Sequence, residues 1–346
     1  MLSVPRLRTR TKDSEDGATR KPKILVTTRP PHHRVDYVDQ LIGDDSAGGA
    51  PTGVIHEFSL DPLRPRDADV IHLTDVEKVI GGHRLPEDER TRRAKRFIKM
   101  LRRRGIALVR TVESPAAGIE RSRAEATINR AAAYLIALNP TISAEQDVVV
   151  IPHSHLRDRF LGFPREEVRP GRMLITARGT LPPPYEAAVK VMAVADLPDW
   201  TLRVAGDVPT EAKESYARSL ADLGGVMSLR DDQLSDAASV TEISQAEVVL
   251  VVEPDRYDSQ SVILMALSLD RPVLVADTPA MQSLADEVGP GWVQRHPGPL
   301  TAVALETALR EFRANPPRHP PQLDARDPNE ISARYAAVFR RAIGHH

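Results

Sequence analysis

The sequence has no cysteine in 346 residues, which excludes disulfides, thiolate zinc sites, iron–sulfur clusters and cysteine nucleophiles. It has almost no net charge. Forty-seven Lys and Arg against 48 Asp and Glu leave a formal −1, which argues against a general nucleic-acid binder. Lysine is scarce at eight residues, so arginine carries most of the positive charge. No apolar run approaches the roughly 20 residues that a membrane-spanning helix needs. Several motifs are also missing: the Walker loop, Gly-x-Gly-x-x-Gly, Gly-x-Ser-x-Gly and His-Glu-x-x-His. Their absence disfavours nucleotide hydrolysis, Rossmann dehydrogenase chemistry, α/β-hydrolase chemistry and zincin proteolysis.

What is present is a 41% hydrophobic chain of a length that predicts two domains, at roughly 100–200 residues each. Residues 1–22 are basic with no apolar stretch behind them, so they read as a disordered tail rather than a secretory signal. A cytoplasmic protein is expected, free or peripheral to the inner face of the cell membrane.

Strands and helices then alternate twice over. In residues 23–165, strands are expected at Lys23 to Thr28 (KILVTT), Val54 to Phe58, Ala68 to Leu73 (ADVIHL), Ile106 to Thr111 (IALVRT) and Asp147 to Ile151. A loop running into a helix is expected from His32 to Ile42, helices from Arg92 to Arg104 (stopped by Gly105) and Ser122 to Leu138, and a loop from Gly43 to Gly53. Residues 172–318 repeat the rhythm. Strands are expected at Arg172 to Thr176, Thr201 to Ala205 (closed by Gly206), Val226 to Leu229, Glu247 to Val252 and Pro272 to Ala276. Helices fall at Tyr185 to Ala195, Glu211 to Leu223, Asp232 to Gln245, Ser261 to Leu269, Pro279 to Glu287 and Leu300 to Ala314. Pro316 to Pro321 breaks the pattern, and residues 327–346 end the chain as an amphipathic helix. Strands separated by helices imply right-handed crossovers and parallel sheets. The fold class is therefore α/β, with two doubly wound Rossmann-like domains and a ligand site expected between them, beyond the carboxyl ends of the strands.

Ser261 to Val293 carries a more specific signal. Ala266-Leu267-Ser268-Leu269, Arg271 to Val275 (RPVLV) and Gly289 to Val293 (GPGWV) resemble a group of bacterial GT-B glycosyltransferases that build exopolysaccharides. Ala68 to Leu73, Gly105 to Val112 and Ile151 to His155 are weaker echoes of the same group. The resemblance spans most of residues 24–310. It implies a metal-independent transfer of a sugar from a nucleoside-diphosphate donor to a lipid-linked or saccharide acceptor, with no cofactor. The first domain would take the acceptor and the second the donor.

The departures fall at the motif positions. The Asn-Ser-Gly turn reads Ser259-Gln260-Ser261, the Glu of the last donor helix falls at Met265, and its partner eight residues earlier falls at Tyr257. The Thr-Val-His-Asn motif reads Thr111-Val112-Glu113-Ser114. The basic loop after the first strand of the second domain reads Arg178-Gly179-Thr180-Leu181, followed by three prolines and Tyr185. A chain with these substitutions is either a divergent enzyme or a binding or scaffold protein that has kept the fold. A sugar-nucleotide epimerase is a third option.

Sugar transfer without a metal needs amides and basic side chains to stabilise the departing diphosphate. Ser259, Gln260 and Ser261 lie where a strand turns into a helix, whose N-terminus offers free N–H groups and a positive dipole end. The same hydroxyls also suit plain helix capping. Arg178 can bind phosphate bidentately or make a surface salt bridge, and Gly206 either admits a ligand close to the backbone or makes a plain turn. Asp231 and Asp232 resemble a nucleobase loop but read first as helix N-caps. A general base on the acceptor side is expected among Glu113, His33 (beside His32) and Asp75, each following a strand. His72 reads as a packed strand residue. His153 and His155 form a His-x-His without an acidic third ligand, so no metal is expected.

The helix from Arg92 to Arg104 is strongly basic, with Ala94, Phe97, Ile98 and Leu101 on one face. It suits either a solvated surface or an anionic partner such as a membrane surface or a pyrophosphate-linked acceptor.

Overall fold

The computed structural model describes residues 20–28, 53–65, 67–82, 84–112, 122–139, 148–178, 185–210, 213, 224–254 and 257–344. The basic tail up to residue 19, the expected loop and helix from His32 to Ile42, most of the Gly43 to Gly53 loop and most of the Glu211 to Leu223 helix lie outside them.

The first lobe is built on β1 (Lys23–Val26), β2 (Ile55–Phe58), β3 (Val70–Leu73), β4 (Ala107–Val112), β5 (Tyr134–Ala137) and β6 (Val148–Val150). They lie in the order β2-β1-β3-β4-β5-β6, all parallel. Between the strands run α1 (Glu77–Ile80), α2 (Glu87–Arg104) and α3 (Arg123–Asn129). The second lobe holds β7 (Arg172–Arg178), β8 (Thr201–Asp207), β9 (Met227–Asp231), β10 (Val248–Val251), β11 (Val273–Ala276) and β12 (Val293–His296). Their order is β12-β11-β10-β7-β8-β9, again all parallel. Its helices are α4 (Tyr185–Met192), α5 (Asp236–Gln245), α6 (Tyr257–Ser268), α7 (Pro279–Val288) and α8 (Ala302–Ala314), and α9 (Pro328–Ile343) closes the chain.

Strand sequences such as VVLV in β10 and VLVA in β11 are continuous apolar runs because parallel strands are covered on both faces. In the first lobe, alternation sorts the side chains. Leu25, Ile71 and Leu73 pack beneath Phe97, Leu101 and Ile128 of the α2–α3 layer. Ile24, Val26, Val70 and Val109 face the other way, and the layer covering them is α9, through Ile331, Tyr335, Val338, Phe339 and Ala342. The last helix of the chain thus completes the core of the first lobe. The proline-rich stretch before it carries the chain back across.

Several expectations change. Ser122 to Leu138 is not one helix: α3 ends at Asn129, and Tyr134–Ala137 is the buried strand β5 between β4 and β6. A four-residue apolar run next to alanines has no periodicity to mark it as strand, and sheet burial overrides alanine's helix preference. The basic helix starts earlier, at Glu87 after Pro86. Glu87, Asp88 and Glu89 sit in its first turn and Arg102, Arg103 and Arg104 in its last, in accord with the helix dipole, and Gly105 at φ 65° ends it. β8 runs through Gly206 to Asp207 instead of closing there. β12 adds an edge strand.

Candidate active site at the carboxyl ends of two sheets

Both sheets reverse strand order beside their first strand. The chain steps from β1 to β2 on one side and then to β3 on the other. It steps from β7 through β8 and β9 and then returns to β10 on the opposite side. Such switch points leave a crevice at the carboxyl ends of the two strands concerned, where open parallel sheets bind ligands.

In the first lobe this point is built by Thr27, after β1, and Thr74, after β3. Both are buried. The Thr27 hydroxyl donates to the His72 carbonyl (3.2 Å) and accepts from the Thr74 N–H (3.0 Å), while the Thr74 hydroxyl donates to the Thr27 carbonyl (3.3 Å). Lys78 Nζ donates to the same Thr27 carbonyl at 2.7 Å, which anchors a half-buried ammonium beside the crevice. Asp75 is exposed one residue further on, and its Oδ1 accepts the Glu77 N–H (2.9 Å) in an Asx turn that opens α1. Glu113 and His33 lie outside the described residues, and β4 ends at Val112. No motif announces Thr27, Thr74 or Lys78. The one signal is that a lysine, rare in this chain, falls just after a buried strand.

His72 is fully buried, with Nε2 2.7 Å from Thr111 Oγ1 and its ring against Tyr335 and Phe339. It is the packed strand residue that was expected. Burial, reinforced by nearby His56, lowers its pKa to about 3.

In the second lobe β7 ends at Arg178, in register with Asp207 of β8. Its neighbour β10 leads into α6, so Arg178 and the start of α6 share the switch point. The helix begins at Tyr257, four residues before the expected start. Its first-turn amides, from Tyr257 to Ser259, are those an α-helix leaves unpaired. Gln260 and Ser261 are instead buried inside the helix, so of the Ser259–Ser261 turn only Ser259 lies in the first turn. The early start has a local cause. The nearest preceding proline is Pro254, and Asp258 suits a first turn. Gly179 lies outside the described residues.

Gly206 has φ +130°, and a Cβ there would lie 2.1 Å from the Ala177 carbonyl oxygen. The space it leaves is filled by strand β7, not by a turn. Asp231 and Asp232 cap nothing at α5, whose N-cap is Ser235, accepting from the Ala238 N–H. Asp231 pairs with Lys213 (2.7 Å) and accepts from the Val208 N–H. Asp232 takes both arms of the Arg230 fork, at 2.8 and 3.1 Å.

Residues 151–156 carry the chain between the lobes. His153 is buried, its pKa lowered to about 3 by burial and by the Arg326 charge. Its carbonyl accepts from Arg326 Nη1 (3.1 Å), and the His155 N–H donates to the Arg326 carbonyl (2.8 Å). Among the described residues no three His, Asp or Glu side chains group as metal ligands.

No family model matches the chain. Over 197 residues it is 30% identical to a GDP-mannose:glycolipid 4-beta-D-mannosyltransferase of Xanthomonas campestris pv. campestris, covering 56% of this chain and 55% of that protein. The chain thus spans about half the length of the curated relatives it matches. Among solved structures, it superposes on sucrose-phosphate synthase from Thermosynechococcus elongatus with a TM-score of 0.55 at 16% identity, over 94% of this chain and 96% of that one. The match to the apo structure of OtsA has a TM-score of 0.60 at 9% identity, over 94% and 99%. The match to a glycosyltransferase from Rickettsia africae has a TM-score of 0.56 at 10% identity, over 94% and 100%. The chain therefore has the GT-B fold, two Rossmann-like domains facing a cleft, and resembles in sequence a bacterial glycosyltransferase that acts on a glycolipid.

Proposed function

We propose that the chain is a hexosyltransferase, moving a sugar from a nucleoside-diphosphate donor to a lipid-linked or saccharide acceptor without a metal, in the cytoplasm against the inner face of the cell membrane. One observation carries this reading: Arg178 ends β7 and the first turn of α6 follows the adjacent strand β10, so both belong to the carboxyl-end switch point of the second sheet. A departing diphosphate there would meet the amides of residues 257–259 and a bidentate cation, which together offset its charge. The acceptor hydroxyl would be deprotonated from the first lobe by Glu113, His33 or Asp75, with Lys78 available to an anionic acceptor group. A relative's name includes GDP-mannose, and one structural neighbour, HepE of Anabaena (TM-score 0.54, 12% identical), was solved with UDP. Both donor classes belong in the test.

The experiment is a thermal-shift and sugar-transfer screen against UDP-, GDP- and ADP-sugars, with Arg178→Ala as the variant. Stabilisation by at least one donor, weakened at least tenfold in affinity by Arg178→Ala, is expected. No stabilisation by any donor overturns the reading. One observation favours a second reading, a binding or scaffold protein. Met265, where the resemblance would put a glutamate, is 5% exposed in the apolar core and offers no carboxylate. That reading requires donor binding without any transferred or isomerised product.

A further inference from the structure

The outer flank of the first lobe carries charge that the fold itself does not neutralise. In the N-terminal half of α2, basic and acidic groups pair off: Arg90 with Glu87, Arg92 and Arg93 with Glu89, and Asp88 with Arg123. In the C-terminal half they do not. Lys95, Arg96, Lys99, Arg102 and Arg103 are all exposed, and none forms an ion pair with a described carboxylate. Arg130, just past α3, is exposed beside them.

These cations edge two adjoining hollows that share Lys99 and Arg103. One, of about 690 Å³, lies between α2 and α3, with Ile98 and Ala131 in its lining. The other, of about 350 Å³, runs from Arg96 past Met100 to Arg104. Arg104 in turn donates to the Pro65 carbonyl, which ties to the end of α2 a loop whose Leu60 and Leu63 are 51% and 52% exposed. The surface thus combines uncompensated cations with exposed aliphatic side chains, in a protein whose formal charge is −1.

We propose that this α2–α3 flank docks on an anionic lipid bilayer, its cations taking phosphate headgroups and Leu60 and Leu63 entering the acyl boundary. The composition selects this occupant. Anionic headgroups attract each clustered Lys or Arg, and aliphatic side chains partition into the interface. A single-stranded nucleic acid would call for stacking aromatics, and neither hollow has an aromatic in its lining. The proposal rests on the lipid-linked acceptor reading for its purpose.

The test is co-sedimentation of the full chain, without nucleotide sugar, with phosphatidylcholine vesicles and with vesicles also containing phosphatidylglycerol. Binding to the anionic vesicles only, weakening as salt rises, is expected. The double variant Lys99→Glu, Arg103→Glu should lose roughly tenfold or more in partitioning, and Leu63→Ser should weaken it further. Lys190→Glu, a charge reversal on the second lobe, should leave it unchanged. Circular dichroism checks that each variant is folded. Equal binding to both vesicle types overturns the proposal. So does full retention by the double variant, or binding of inorganic pyrophosphate or RNA in place of vesicles. A donor-induced thermal shift measured on the unaltered chain keeps the two readings apart: its absence overturns the transferase reading, and loss of vesicle binding by the double variant does not.

Discussion

Gly206 and Glu242 are positions whose roles become visible only with their neighbours in place. Any side chain at Gly206 collides with β7, and φ +130° is strained for every L-residue. Gly206→Ala should therefore destabilise the protein by at least about 2 kcal/mol in urea titration. A residue kept small only to admit a ligand would leave the unfolding midpoint unchanged. Glu242 is buried on α5 and bonds three guanidinium groups from three strands: Arg172, Arg203 (2.9 Å to Oε1) and Arg230. Burial raises its pKa, but the Arg203 hydrogen bond and the surrounding guanidinium charges outweigh that and hold it below the usual carboxylate value. Glu242→Gln strips the charge from a site with three cations around it. The expected cost is about 3–5 kcal/mol, read as a lower urea midpoint at pH 7. In the sequence Gly206 reads as a ligand-approach or turn glycine, and Glu242 is one glutamate in a polar helix.

Helix α9 and the sheet it covers enclose an aromatic seam that couples stability to pH. His72 packs against Tyr335 and Phe339, and His56 lies edge-on to Phe339. Burial lowers His72 to about 3, with a contribution from His56, and lowers His56 to about 4. Both must stay neutral in the folded chain, whereas the unfolded chain takes up protons near 6.5. Stability is thus complete above pH 6.5 and falls as pH drops from 6.5 towards 4, by about 1.4 kcal/mol per pH unit for each ring. These two rings should make urea titrations at pH 7.5 and 5.5 differ by about 2–3 kcal/mol, buried His153 adds to that difference, and His72→Asn should flatten the slope. Phe339→Ala, which opens the same seam, should cost about 3–5 kcal/mol at pH 7.5. The elements themselves were legible where local chemistry is strong: β10, β11, the Gly105 stop and the apolar face of α2. β5 was not, because a strand buried on both faces carries no alternation. The destination of α9 was not, because an amphipathic helix does not state which sheet it covers. At the site, the positions of Arg178 and the α6 turn follow from strand order. Thr27, Thr74 and Lys78 are common residue types that acquire a role only through the contact between β1 and β3.

Across the whole molecule, the two lobes are joined where residues 151–156 pass residues 321–327. Arg326 is the knot of that crossing. Its Nε and Nη2 hold Glu287 of α7 at 2.6 and 2.7 Å, its Nη1 holds the His153 carbonyl, and its own carbonyl takes the His155 N–H. Arg157 reaches the Pro321 carbonyl (2.8 Å), and the Leu156 N–H reaches Ser268 Oγ at the end of α6 (2.8 Å). Because α9 lies beyond this knot and completes the first lobe, unfolding the second lobe pulls on the cover of the first. The intact chain should therefore unfold in one calorimetric transition. Arg326→Ala removes the bidentate pair and leaves Glu287 without its partner, and the side-chain bonds it breaks go to α7 and the His153 carbonyl. It should split the transition in two while each lobe keeps its secondary structure. A donor held at the second switch point then stabilises only the transition of its own lobe, by about 2.7 kcal/mol at one hundred times its dissociation constant. If both transitions of the Arg326→Ala protein rose equally on adding the nucleotide sugar, the ligand would have to bridge the lobes, and the donor contacts would not be confined to Arg178 and α6.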